Sequence, residues 1–103
     1  MIQYTTPTHT HRVKGIDLTG CDVWVSYEQG TVQVDLKGAV EIDGEDSLVT
    51  VSLTQKQTAR FREGTLLAQI NWVYPNGNRD ATDKKEMPVR GNLMAREVPY
   101  GLE

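Results

Sequence analysis

Along most of the chain, apolar and polar residues alternate with a period of two, the mark of strands that bury one face. CDVWVSYE, Cys21 to Glu28, does so without a break: Cys21, Val23, Val25 and Tyr27 fall on one side, Asp22, Trp24, Ser26 and Glu28 on the other. Gln29-Gly30 marks a tight turn, and TVQVDL returns with Val32, Val34 and Leu36 inward against Thr31, Gln33 and Asp35. The two segments are expected to pair as a hairpin. His9 to Lys14 sets His9, His11 and Val13 against Thr10, Arg12 and Lys14 and reads as the first strand. Beyond Lys37-Gly38, a bulge or a break, Val40 and Ile42 continue the even-numbered apolar set. EIDGEDS turns the chain, and LVTVSL brings back Val49, Val51 and Leu53.

In TLLAQINWVY, Thr65 to Tyr74, Leu66, Ala68, Ile70, Trp72 and Tyr74 share one face and Leu67, Gln69, Asn71 and Val73 the other. Both faces should be partly covered, as in a central strand. PNGN, Pro75 to Asn78, is expected to turn with Asn76 and Gly77 at its centre, since that pair tolerates positive φ. RDATDKKE is polar and reads as extended or looped. MPVRGNL supplies the closing strand with Met87, Val89 and Leu93 inward, at a sheet edge because Pro88 has no N–H.

One stretch breaks the period. In LTQKQTARFREG, Leu53 to Gly64, Thr54 is a candidate N-cap and Gln57, three residues on, completes a capping box. Gly64 offers a left-handed stop, and Ala59 and Phe61 can pin the turn against a core. So short a helix does not survive alone, so it is expected to be a crossover between sheets, with Phe61 plugging the core. The pattern of about seven short strands with frequent turn signals is that of an all-β, immunoglobulin-like β-sandwich. A single domain over residues 1–103 is expected, with flexible arms at 1–8 and 97–103.

A chain of 103 residues is large enough for a core without staples. The lone Cys21 cannot form an internal bridge, which favours a reducing compartment, and no export signal or membrane span is visible. Eleven Lys and Arg against fourteen Asp and Glu give a net charge of −3, with no general attraction for nucleic acid. No nucleic-acid or membrane partner is expected. The closing Leu102-Glu103 has the form of a vector-derived pair and is given no role.

Candidate chemistry is sparse. His9 and His11 stand two apart on one strand face, a spacing that presents two imidazoles to a metal, with Cys21 the only candidate third ligand. Edge-of-core histidines are the plainer reading. Glu41, Asp43, Glu45 and Asp46 surround Gly44 without the full calcium-loop spacing. Ser26, Ser47 and Ser52 lack a glycine-rich elbow, and both histidines sit in the first strand. Asp22 and Asp35 fall on outer faces as solvated charge, and Cys21 reads as a buried, inert thiol. No catalytic residue, metal or cofactor is therefore expected. Trp24 stands apart: its parity puts it with Asp22 and Ser26 rather than with the valines, so Trp24, Asp22 and Ser26 are the candidate contact surface. The alternative is that a loop or the N-terminal arm covers Trp24.

DLTGCDVWVSY, Asp17 to Tyr27, resembles the D-L-T-G-x-x-V phrase and following strand of immunoglobulin-like modules in tailed-phage structural proteins, such as the N-terminal domain of siphophage baseplate upper proteins. LTQKQTARFREGTLLAQINWVYPNGNRDAT, Leu53 to Thr82, is similar to a phrase of small prophage proteins of Gram-positive bacteria: L-T-Q-x-x-T, an aromatic, a glycine, a strand, a turn, then A-T or A-S. Together they cover about two fifths of the chain. The resemblance implies a non-enzymatic, virion-associated tail or baseplate component that assembles with other phage structural proteins or with itself. It also implies residence in the bacterial cytoplasm during assembly and then in the virion. It carries over no catalytic residue. The rival from another class is a carbohydrate-binding or host-surface-binding module, with Trp24 exposed beside another aromatic such as Tyr4 or Tyr100.

Overall fold

The computed structural model describes residues 1–98. Eight strands and one helix follow in order: β1 Thr8–Val13, β2 Asp22–Gln29, β3 Val32–Lys37, β4 Ala39–Asp43, β5 Asp46–Ser52, α1 Gln55–Ala59, β6 Gly64–Val73, β7 Arg79–Ala81 and β8 Lys85–Val89. They form two antiparallel sheets, a three-stranded β1-β5-β4 and a five-stranded β3-β2-β6 whose far side is lined by β7 and β8. The expected β-sandwich is the fold. Tyr100, the Leu102-Glu103 pair and most of the arm expected at 97–103 lie outside the described residues.

Strand parity holds where it was clearest. Val23, Val25 and Tyr27 of β2, Val49 and Val51 of β5, and Leu66, Ala68, Ile70 and Trp72 of β6 are all buried between the sheets. Each fully buried aliphatic side chain of this kind is worth about 1.5–3 kcal/mol. Leu18 and Phe61, both 0% exposed, close the core from loops. The Trp72 indole N–H is buried without a partner among the described residues, a local cost of about 1–3 kcal/mol.

The chain changes sheet at two telling places. At Gly38 it leaves β3 in the larger sheet for β4 in the smaller, so Lys37-Gly38 is a break rather than a bulge. The Gly38 N–H donates to the Val23 carbonyl at 2.9 Å, and a Cβ there would lie 2.3 Å from Val49 Cγ1. Glycine is required for space. The second change is α1, which carries the chain from β5 to β6 with Thr54 as N-cap. Gln57 N–H donates to Thr54 Oγ1 at 3.2 Å and Thr54 N–H to Gln57 Oε1 at 2.8 Å, the full capping box. Gly64 is not its stop: the helix ends at Arg60 in right-handed geometry, and Gly64, at φ +133°, opens β6. Gln55 and Thr58 are the buried helix residues, and Ala59 is half-buried.

Three other expectations change, at the PNGN turn, Leu93 and Ile42, while RDATDKKE is extended and looped as expected. The PNGN turn centres on Pro75-Asn76: Gly77 N–H donates to Tyr74 O at 2.9 Å, Tyr74 N–H to Asn78 O at 2.8 Å, and of these residues only Gly77 has positive φ, +88°. Proline's fixed φ suits the first central position of a type I turn, which places Gly77 in the bulge position of a three-residue hairpin. The polar RDATDKKE contains all of β7 and the start of β8, interrupted where Thr82 donates its N–H to Ile70 O and accepts Ile70 N–H on Oγ1. Leu93 is fully exposed, past the end of β8, and Ile42 is 42% exposed on β4, an edge strand of the smaller sheet.

Residues 1–8, expected as a flexible arm, are fastened at both ends. Arg90 N–H donates to Met1 O, Gln3 N–H to Arg90 O, Thr58 Oγ1–H to Thr5 O, and Leu53 N–H to Pro7 O, all between 2.8 and 3.0 Å. Residues 1–3 thereby lie along the end of β8, whose Pro88 is at an edge as expected.

Two substitutions test these joints. Gly38→Ala is expected to cost about 1–3 kcal/mol, because the methyl meets Val49 in a packed core. Thr54→Ala is expected to cost about 1 kcal/mol through the lost cap. Urea denaturation with an unchanged m-value measures both.

Candidate functional site

Committing Tyr27 to the core commits its neighbours on β2 to the outside. On that outer face the register lays out rows across three strands. Lys37, Trp24 and Asn71 form one, Asp35, Ser26 and Gln69 the next, and Gln33, Glu28 and Leu67 the third. These side chains, with Val73, Arg79 and Lys84 but without Lys37, line an open depression of about 570 Å³. Trp24, half-buried, and Ser26 stand in it. Asp22 stands outside: its carboxylate takes the Lys37 ammonium at 3.2 Å, and that ammonium lies 5.7 Å from the centre of the Trp24 ring. Residues 1–8, one of the two alternative covers for Trp24, run along β8 and α1.

The polar groups of the depression hold one another. Asp35 accepts from Ser26 Oγ and from Gln33 Nε2 at 3.0 Å, and these hydrogen bonds keep its carboxyl below the usual carboxylate value. Arg79 donates to Asn71 Oδ1 at 3.1 Å, and Gln69 Nε2 to the Thr82 carbonyl at 2.8 Å. Gln33, Gln69, Asn71 and Arg79 were read from the sequence as merely outward or looped. Parity placed the first three on an outer face, and only the pairing of β6 beside β2 unites them with Trp24. β6 is the central strand expected, paired on both sides, and its Leu67-to-Val73 face is partly buried.

The other candidate groups are engaged elsewhere. Tyr27, 0% exposed, reaches across the sandwich, and its hydroxyl meets His9 Nδ1 at 3.0 Å and His11 Nε2 at 2.8 Å. The two imidazoles belong to β1 of the opposite sheet, their ring centres 6.0 Å apart. Tyr27 thus gives them the edge-of-core role, and no group of three or more His, Cys, Asp or Glu gathers for a metal among the described residues. Ser47 is buried and ties the β1–β2 loop, donating to Ile16 O at 2.7 Å and accepting Leu18 N–H at 3.0 Å. Ser52 pairs with Thr8. Arg12 spans Asp43 and Asp46 at 2.8 and 2.9 Å, and Asp46 also accepts Gly15 N–H. The acidic turn is an ion-pair cluster. Cys21 is half-buried against the core. No helix among the described residues is long and apolar enough to cross a membrane. Comparison with protein-family models and with curated proteins finds no match to this chain.

The histidine pair has a consequence for pH. One phenol has one proton, so it donates to one imidazole nitrogen and accepts an N–H from the other, an arrangement that requires the accepting ring to be neutral. Burial first, and then positive charge, lowers both below 6.5: the Met1 amine acts on His9, and His9 and Lys85 act on His11. A lowered folded-state value means that unfolding takes up protons, so this contribution is complete above pH 6.5 and is lost as pH falls through the folded-state values. Thermal melts are expected to show that loss, and a His9→Gln, His11→Gln variant to lack it. Imidazole shifts followed by NMR should give midpoints below 6.5.

Proposed function

We propose that this chain is a non-enzymatic structural or assembly module of a tailed-phage particle, a tail or baseplate component that works through protein–protein contacts. The observation that carries the contact role is the open outer face of the larger sheet, where Trp24 stands half-buried among side chains that no other element among the described residues covers. Large aromatic side chains so placed are the usual anchors of recognition. The phage setting is supported by the phrases at Asp17 to Tyr27 and Leu53 to Thr82. The groups best suited to acid–base or nucleophilic work serve packing: His9 and His11 hold Tyr27, and Ser47 holds a loop.

The edges support the same reading. Residues 1–3 close the end of β8, while β3 and β4 keep their outer sides free as sheet edges. Among the described residues β1 is likewise paired on one side only, so the outer face of the larger sheet is the contact this reading uses. In this reading the chain assembles in the bacterial cytoplasm and is carried into the virion with other phage structural proteins, alone or as a symmetric homo-oligomer.

Prophage induction followed by mass spectrometry of purified particles tests the reading, and the chain is expected in the particles at a fixed ratio to the tail proteins. Trp24→Asp is expected to leave folding stability within about 0.5 kcal/mol and to lower incorporation about tenfold, equivalent to about 1.4 kcal/mol. Particles lacking the wild-type chain would overturn the assignment.

A further inference from the structure

The chemistry of the outer face narrows what it takes. Two carboxylates, Glu28 and Asp35, and two cations, Arg79 and Lys84, line the depression, so a charged ligand gains no net attraction there. The strands beneath it, β2 and β6, are paired on both sides, so their backbone offers no ladder to an incoming peptide strand. A ligand must be read by side chains. The amides are set for this: Gln33, Gln69 and Asn71 each have one end tethered, by Asp35, Thr82 and Arg79. Their opposite ends, Gln33 Oε1, Gln69 Oε1 and Asn71 Nδ2, have no protein partner among the described residues. Each tether fixes a side chain before any ligand arrives, which lowers the ordering cost of binding.

Beside these amides stands an indole. The negative face of an aromatic ring attracts weakly positive C–H groups, and a half-buried tryptophan supplies it at a fixed position. A neutral ligand that offers a C–H face to a ring, and around its rim hydroxyls that both donate and accept, is a sugar. The depression, at about 570 Å³, falls within the range of small-ligand sites. We infer that this face binds a neutral oligosaccharide, stacked on Trp24 and hydrogen-bonded by Gln33, Gln69 and Asn71. The inference rests on the outer face being the contact surface, and it makes that contact one with a glycan as well as with protein.

The protein contains two tryptophans, and Trp72 is 1% exposed, so a Trp72→Phe variant leaves Trp24 as the sole reporter. Titration with soluble neutral glucan, mannan and N-acetylglucosamine oligosaccharides at millimolar concentration is expected to give a saturable change in Trp24 emission with at least one of them. Trp24→Ala and Gln69→Ala, both on the outer face, are expected to weaken binding of that sugar at least about tenfold, with binding to Trp24→Ala, which has lost the reporter, followed by NMR shifts of the Gln33 and Asn71 side-chain amides. Should Trp72→Phe not fold, NMR shifts of the Gln33, Gln69 and Asn71 side-chain amides in the wild-type chain report the same event. No response to any neutral sugar, a response to acidic sugars alone, or binding that survives Trp24→Ala would overturn the inference. If sugars fail while Trp24→Asp still removes the chain from particles, the glycan is excluded and the assembly reading stands. If sugars bind and the chain is absent from particles, the reverse holds.

Discussion

A tyrosine hydroxyl carried into the middle of an apolar layer must find a partner, because a buried polar group left unmade costs about 1–3 kcal/mol. Tyr27 meets this demand across the sandwich, on two histidines of the opposite sheet. That contact fixes much else. It holds β1 over the core, although β1 pairs with only one strand, and it sets the inward parity of β2 at Tyr27. By the period of a strand it then sends Trp24, Ser26 and Glu28 outward. A one-residue slip of β2 would bury Trp24 and Glu28 and expose the valines, so the core and the candidate site are two results of one register.

Around this layer the closures are made by side-chain hydrogen bonds rather than by long elements. The five-residue α1 is too short to hold itself. It persists because Thr54 and Gln57 cap it, Thr58 bonds Thr5, and Gln55 exchanges two hydrogen bonds with Val98 at 2.7 and 2.8 Å. Gln29 reaches from the end of β2 to both backbone groups of Arg62, at 2.6 and 2.8 Å, and so holds the loop after the helix. The helix thus gathers residue 5 and residue 98 at one end of the sandwich. Among the described residues, the outer face of the larger sheet carries ties among its own side chains and one from Gln69 to the Thr82 carbonyl.

The contrast between the two sheets bears on function. On the small sheet Arg12 pairs with both Asp43 and Asp46. The large sheet's outer polar groups are tethered at one end and open at the other. A sheet face of amides, hydroxyls and one indole, with balanced charge, is suited to holding a partner in a fixed orientation. It has no imidazole to move a proton, since both lie on the far side of the core.

Local pattern determined a great deal by itself. Period-two alternation assigned the inward faces of β2, β5 and β6, and the spacing of Thr54 and Gln57 assigned the helix and its cap, because both depend on residues within one strand or one turn. The outward placement of Trp24 followed from the same parity. Tertiary structure decided what depends on pairing. That Gln69 and Asn71 stand beside Trp24 requires β6 next to β2, although they lie more than forty residues from it in sequence. That His9 and His11 serve one hydroxyl requires two sheets face to face. That Gly38 changes sheet shows only in its approach to Val49. Polar residues 79–81 and 85–86 became strand because β6 had an open side that needed backbone partners, a demand set by a neighbour and not by their own side chains.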